Sequence, residues 1–115
     1  IMVNIDVKKT CDITFEAVRI EDSDYMYYQT DVRDVKLDVL RDVEQALYDA
    51  CNYQVETKVK AFYGNTKNLT IRALEKFIVI DNDAEPFDGY YYIMYDEAER
   101  LIERINAVCT KENIS

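Results

Sequence analysis

The sequence predicts an α+β domain: a mainly antiparallel sheet of five to six strands, ordered β-β-β-α-β-β-β-α, with two helices packed on one face. Three observations lead there. Apolar and polar residues alternate at period two in several short runs, as in half-buried strands. Two longer stretches carry one-sided apolar stripes at helical spacing. The connections between strands are short, so consecutive strands pair antiparallel and leave one sheet face for both helices.

Taken in order, Val3, Ile5 and Val7 alternate with polar residues and suit a first strand. Cys11, Ile13, Phe15 and Ala17 alternate again, and the phase flips at Val18 and Ile20. A bulge, or burial of both faces at the strand end, accounts for such a flip. Glu21-Asp22-Ser23-Asp24 is a turn signal, and the aromatic run 25–30 reads as a third strand completing a meander. A helix is expected over 31–51, capped by Thr30 or Asp31 and stopped at Asn52, with Val32, Val35, Val39, Val43, Ala46 and Ala50 on its apolar side. Residues 53–63 alternate cleanly and predict a strand, followed by a turn at Gly64-Asn65. Segment 69–80 mixes strand and helix signals and is assigned as strand, since it can pair back through that turn. Residues 81–89 form a loop and Tyr90 to Met94 a short strand. Asp96 caps the second helix, whose stripe is Ala98, Leu101, Ile102, Ile105, Val108 and Cys109.

The 115 residues fit a single domain over 2–110, with a tail at 111–115 expected to fray. Ile1 before Met2 reads as an expression scar, so the natural chain is expected to begin at Met2. No signal peptide is visible, and no apolar run approaches the ~20 residues of a membrane span. The expected location is therefore cytoplasmic, the host cytoplasm if a phage encodes the chain. A net charge of −9 disfavours direct binding to nucleic acid or anionic membrane, because phosphates need Lys and Arg. It favours a basic protein partner. Three cysteines without C-x-x-C spacing, in a chain with no histidine, read as reduced thiols and not as a zinc site.

The absence of His also removes Ser-His and Cys-His nucleophiles, and Gly64 and Gly89 are isolated, so no phosphate-cradling loop is present. No cofactor or metal is assigned, and the chain is not expected to be an enzyme. Asp81, Asp83, Glu85 and Asp88 begin like a calcium loop, but Pro86 and Tyr92 stand where the Gly and Glu of that motif belong. Glu56 and Lys58, two apart on a strand, resemble the Glu-x-Lys of metal-dependent nucleases, without the usual Pro-Asp partner.

Two features are left for function. Of ten tyrosines, seven cluster, at Tyr25, Tyr27 and Tyr28 and at Tyr90, Tyr91, Tyr92 and Tyr95. Alternate members of a strand point to opposite faces, so some phenols must stand at a surface, where Tyr offers large area with a hydrogen-bonding tip. Secondly, at ~100° per residue Asp34, Asp38, Asp42 and Asp49 form one ridge on the first helix, extended a turn by Asp31. Like charges at i,i+4 repel, so such a row costs stability unless a partner uses it. Carboxylates one turn apart are spaced on the scale of phosphates along a strand. The composition resembles small acidic inhibitors, namely phage anti-defence proteins, bacterial immunity proteins and antitoxins.

The expected function is thus a small acidic binding protein. It would block a basic, nucleic-acid-binding partner, by mimicry if the ridge imitates phosphates. The contact residues would be Asp31, Asp34, Asp38, Asp42 and Asp49 with Tyr25, Tyr27 and Tyr91. The alternatives are a homo-oligomeric structural component, for example of a virion, and a small metal-dependent nuclease.

Overall fold

The computed structural model describes residues 9–64, 67–83 and 89–115. It is an α+β fold with one sheet of six antiparallel strands and two helices. Two strands, β1 (Thr10–Glu21) and β2 (Asp24–Lys36), precede a 3-10 turn at Leu37–Val39 and helix α1 (Leu40–Tyr53). Four follow: β3 (Thr57–Val59), β4 (Leu69–Ala73), β5 (Phe77–Asn82) and β6 (Tyr90–Met94), and α2 (Tyr95–Lys111) ends the chain. Their order across the sheet is β2-β1-β6-β5-β4-β3. The strand expected at Val3 to Val7 lies outside the described residues.

Both helices cover the same sheet face. Val43, Ala46, Leu47 and Ala50 of α1 and Ala98, Leu101, Ile105 and Cys109 of α2 meet Ile13, Phe15, Ile71, Ile78, Ile80 and Ile93 in one core. Arg41 ties the helices together. Its Nη1 donates to Glu44 Oε1 at 2.8 Å and Asn106 Oδ1 at 2.6 Å, and its Nε to the Ile114 carbonyl at 3.2 Å. The tail at 111–115 is partly tied down. Asn113 takes a left-handed φ of 55°, and the Ile114 N–H donates to the Cys109 carbonyl at 2.8 Å, closing α2 in a Schellman motif.

Three expectations need correcting in detail. The first helix starts at Leu40, not Asp31, because β2 continues to Lys36. Cys11 pairs with Val35 and Ile13 with Val32, so Arg33 and Asp34 together face Asp12 across a β-bulge. The bulge puts two inward valines three residues apart, which copies the spacing of a helix stripe. Next, the strand expected over 53–63 shrinks to Thr57–Val59. Helix α1 runs on to Tyr53 and closes on Gln54 at φ 56°, while beyond β3 the Ala61 carbonyl accepts the Lys36 N–H at 2.8 Å. Finally, segment 69–80 is two strands, joined where the Leu74 N–H donates to the Phe77 carbonyl at 2.7 Å.

The flip at Val18 reflects burial on both faces, since Ala17 and Val18 are both buried and the only irregularity in the β1–β2 ladder lies at the Asp12 bulge. Val18, Phe77 and Val79 form a second buried layer on the sheet face away from the helices. Among the described residues, no helix is long and apolar enough to cross a membrane.

Candidate functional site

The β1–β2 hairpin closes on Asp22 and Ser23, at φ 48° and 72°, between the paired Glu21 and Asp24. A two-residue loop with both φ values positive matches the right-handed twist of the flanking strands, and Asp is one of the few residues that tolerates it. The β1–β2 ladder runs the length of both strands, whereas β1 meets β6 in the ladder only at Val18↔Tyr92. Among the described residues, the far half of the hairpin is therefore a two-stranded arm. Every residue from 19 to 29 is exposed, including Tyr27 at 53%, Ile20 at 50%, Met26 at 47%, Tyr28 at 39% and Tyr25 at 37%. Isolated exposed apolar residues are ordinary; here Ile20, Tyr25 and Tyr27 share one face of a short hairpin, with Met26 and Tyr28 on the other, and such a concentration is of the kind used for binding. Arg19 pairs with Glu21 at 2.8 Å, and Asp22 and Asp24 leave the tip acidic.

An aromatic row anchors the arm to the sheet. Tyr25 packs edge-on against Phe77, with ring centroids 5.6 Å apart. Phe77 meets Tyr92 at 5.6 Å, and Tyr92 meets Tyr90 at 5.4 Å. The Arg72 guanidinium lies 5.0 Å from the Tyr90 ring centroid and donates to its hydroxyl. Tyr25 and Tyr27 thus continue a packed strip on the face opposite the helices, whereas Tyr28, paired with Ala17, lies on the helix side.

Below Val18, α2 takes over the main-chain partners that β6 no longer supplies to β1. Glu97 Oε2 accepts the Glu16 N–H at 2.7 Å, and Arg104 Nη2 donates to the Thr14 carbonyl at 3.2 Å. Arg100 and Arg104 flank the carboxylate at 3.1 and 3.3 Å. Burial alone would raise the Glu97 pKa. The Glu16 amide, then Arg104 and Arg100, outweigh it and hold the carboxyl below its ordinary value. Sequence reading missed Glu97, whose place on a mixed-charge helix face carries no signal until β1 is laid beside it.

The residues expected to form one contact surface separate into groups. Tyr25 and Tyr27 share the outer side of the arm. Tyr91 does not join them: it faces the helices, half-buried, with its ring 5.6 Å from Phe15. The five aspartates are not one helical ridge. Asp31 lies on β2 opposite Thr14, paired with Arg33 at 3.3 Å. Asp34 occupies the bulge at φ 59°, its N–H donating to Asp12 Oδ1 at 3.1 Å. Asp38 sits in the 3-10 turn, and only Asp42 and Asp49 share a face of α1. Those two line a cleft of about 460 Å³ whose other wall carries Lys36, Lys58 and Lys60. The charge there is mixed, so this stretch of α1 does not present an isolated anionic row.

Glu56 lies exposed just before β3, and Lys58 is exposed on it. Among the described residues, no three His, Cys, Asp or Glu side chains converge as a metal site. Of the acidic loop, Glu85 and Asp88 lie outside the described residues. Cys11, Cys51 and Cys109 are free, and burial pushes all three thiols up, away from the reactive thiolate. No family model matches the chain, and no curated protein or solved structure shows significant similarity to it.

Proposed function

We propose that the chain is a non-catalytic binding protein that engages a basic protein surface through the β1–β2 arm. The observation that carries this reading is the run 19–29, exposed on both faces and rich in large apolar side chains. Over residues 16–31, Glu16, Glu21, Asp22, Asp24 and Asp31 stand against Arg19 alone, in a chain of net charge −9. Aromatic area supplies affinity at such a surface, and surrounding carboxylates steer a cationic partner and exclude an acidic one. The acidic inhibitors that the composition resembles work by this kind of stoichiometric blockade. A nucleic-acid-binding enzyme is one source of such a basic surface. Phosphate mimicry along a single helix loses its support, since only Asp42 and Asp49 keep the helical spacing.

The test compares capture from a host lysate by the wild type and by the Tyr25→Ser/Tyr27→Ser variant, at low and high salt. The expected result is a basic protein retained by the wild type, released by salt and lost in the folded variant. Equal capture by both proteins would overturn the assignment to the arm.

A second reading, a homo-oligomeric assembly component, is favoured by the position of β2 at the sheet edge. Light scattering separates the two, because a strict monomer at assay concentration leaves only the first.

A further inference from the structure

We infer that the partner contributes an extended, basic-flanked segment that adds as a further strand to the outer edge of β2, over residues 25–30, which no strand among the described residues borders. This rests on the arm being the contact surface and goes further in naming the form of the occupant.

The first support is the phase of the hairpin. A two-residue loop makes Glu21↔Asp24 a hydrogen-bonded pair, and pairs then alternate along the ladder. Ile20↔Tyr25, Val18↔Tyr27 and Glu16↔Gln29 are therefore the pairs whose main-chain groups point out of the hairpin. The β1 side bears this phase out: the Glu16 N–H reaches out to Glu97, and the Thr14 carbonyl, in the same phase, reaches Arg104. On the β2 side the same alternation directs the N–H and C=O groups of Tyr25, Tyr27 and Gln29 off the sheet edge, where no strand among the described residues borders them.

The second support is the lack of protection. Native edges are usually guarded by Lys, Pro, a bulge or short length. Here residues 25–30, Tyr-Met-Tyr-Tyr-Gln-Thr, contain no charge, no Pro and no Gly, and the bulge of β2 lies beyond them at Arg33 and Asp34. Such a window is a ready template for β-augmentation. The third is charge. The neutral window lies between Asp24 and Asp31, with Glu16, Glu21 and Asp22 beside it; Arg19 pairs with Glu21 and Arg33 with Asp31, which leaves the surroundings acidic. A second copy would bring two such acidic sets together. A segment with an apolar centre and Lys or Arg at its ends places opposite charges in register with them.

The experiment uses the full chain and three synthetic octapeptides: Lys-Lys-Val-Thr-Val-Thr-Lys-Lys, its Glu-flanked counterpart, and the Lys-flanked form with Pro at the central Val. Binding is followed by calorimetry and by amide hydrogen exchange. The expected result is binding of the Lys-flanked peptide with protection of the Tyr25, Tyr27 and Gln29 amides. The Glu-flanked and Pro peptides should bind at least about tenfold more weakly. Tyr27→Pro removes one outward N–H and Tyr27→Lys guards the edge; both should abolish protection, and circular dichroism verifies that each variant is folded. Absence of amide protection with the Lys-flanked peptide, or equal binding of the Glu-flanked one, overturns the inference. Protection that rises with protein concentration alone overturns it in favour of a second copy. If strand addition fails while the arm variant still loses its basic partner from lysate, the proposed function stands and only the mode of docking falls.

Discussion

Glu97 Oε2 accepts the main-chain N–H of Glu16 at 2.7 Å across 81 positions of sequence. One carboxylate replaces the pairing that β1 loses where β6 turns into α2, and it does so at the base of the exposed arm. The arm is therefore seated on a part-buried, charge-assisted hydrogen bond and an aromatic row, with its tip exposed.

Removal of that carboxylate is expected to weaken the whole fold. Glu97→Ala leaves a half-buried N–H without its acceptor and takes one of the partners of Arg100 and of Arg104, at a cost of about 2–3 kcal/mol. Glu97→Gln keeps an acceptor for Glu16 and should cost roughly half as much. Urea unfolding of the two variants checks the order; equal stabilities would show that the charge contributes nothing.

The pH dependence follows from the direction of the Glu97 shift. Its folded pKa lies below the unfolded value, so its contribution is fully present above the unfolded carboxylate pKa and is lost as pH falls through the folded one. The stability difference between wild type and Glu97→Gln should be constant above about pH 5 and shrink on further acidification. Chemical denaturation at a series of pH values measures that difference directly. A gap that widens in acid would contradict the assignment.

Asp34 is held at φ 59° by the bulge, with its N–H on Asp12. Asp34→Gly should be nearly neutral, because Gly adopts this backbone freely, whereas Asp34→Ala should cost about 1 kcal/mol. Asp12→Ala removes the partner of that N–H and should destabilise by a similar amount. Thermal melts of the three variants distinguish this account from one in which Asp34 serves only a partner.

Tyr25→Ser/Tyr27→Ser should separate binding from folding. Tyr27 lies on the open arm, so its loss should change stability by less than about 0.5 kcal/mol. Tyr25 touches Phe77, and its loss should add about 0.5–1.5 kcal/mol. A cooperative melt lowered by several degrees at most, beside lost partner capture, is the expected pair of results.

Asp42→Lys/Asp49→Lys tests the helix face independently. The cleft wall opposite carries Lys36, Lys58 and Lys60, so reversing both charges gathers five ammonium groups around one cleft. The fold should lose roughly 1 kcal/mol, more at low salt, while capture by the arm is retained. Loss of partner binding in this variant alone would return the contact to α1.

Local periodicity and composition were enough to establish the α+β class, the second helix, part of each helix's core stripe (Val43, Ala46 and Ala50, and Ala98, Leu101, Ile105 and Cys109, but not Val108, which is exposed), the turn at Asp22 and Ser23, and the exposure of some tyrosines. These depend on neighbours within a turn or a pleat, and such neighbours are written in the sequence. Three matters were decided only in three dimensions. A bulge at Arg33 and Asp34 gives a strand the valine spacing of a helix, so the acidic ridge dissolved when β2 paired with β1. The choice among Tyr25, Tyr27 and Tyr91 depended on which face the helices cover. The role of Glu97 depended on β6 ending at Met94 beside β1, whose Glu16 lies 81 residues away in sequence. Each is a matter of register between distant segments, which a one-dimensional pattern does not encode.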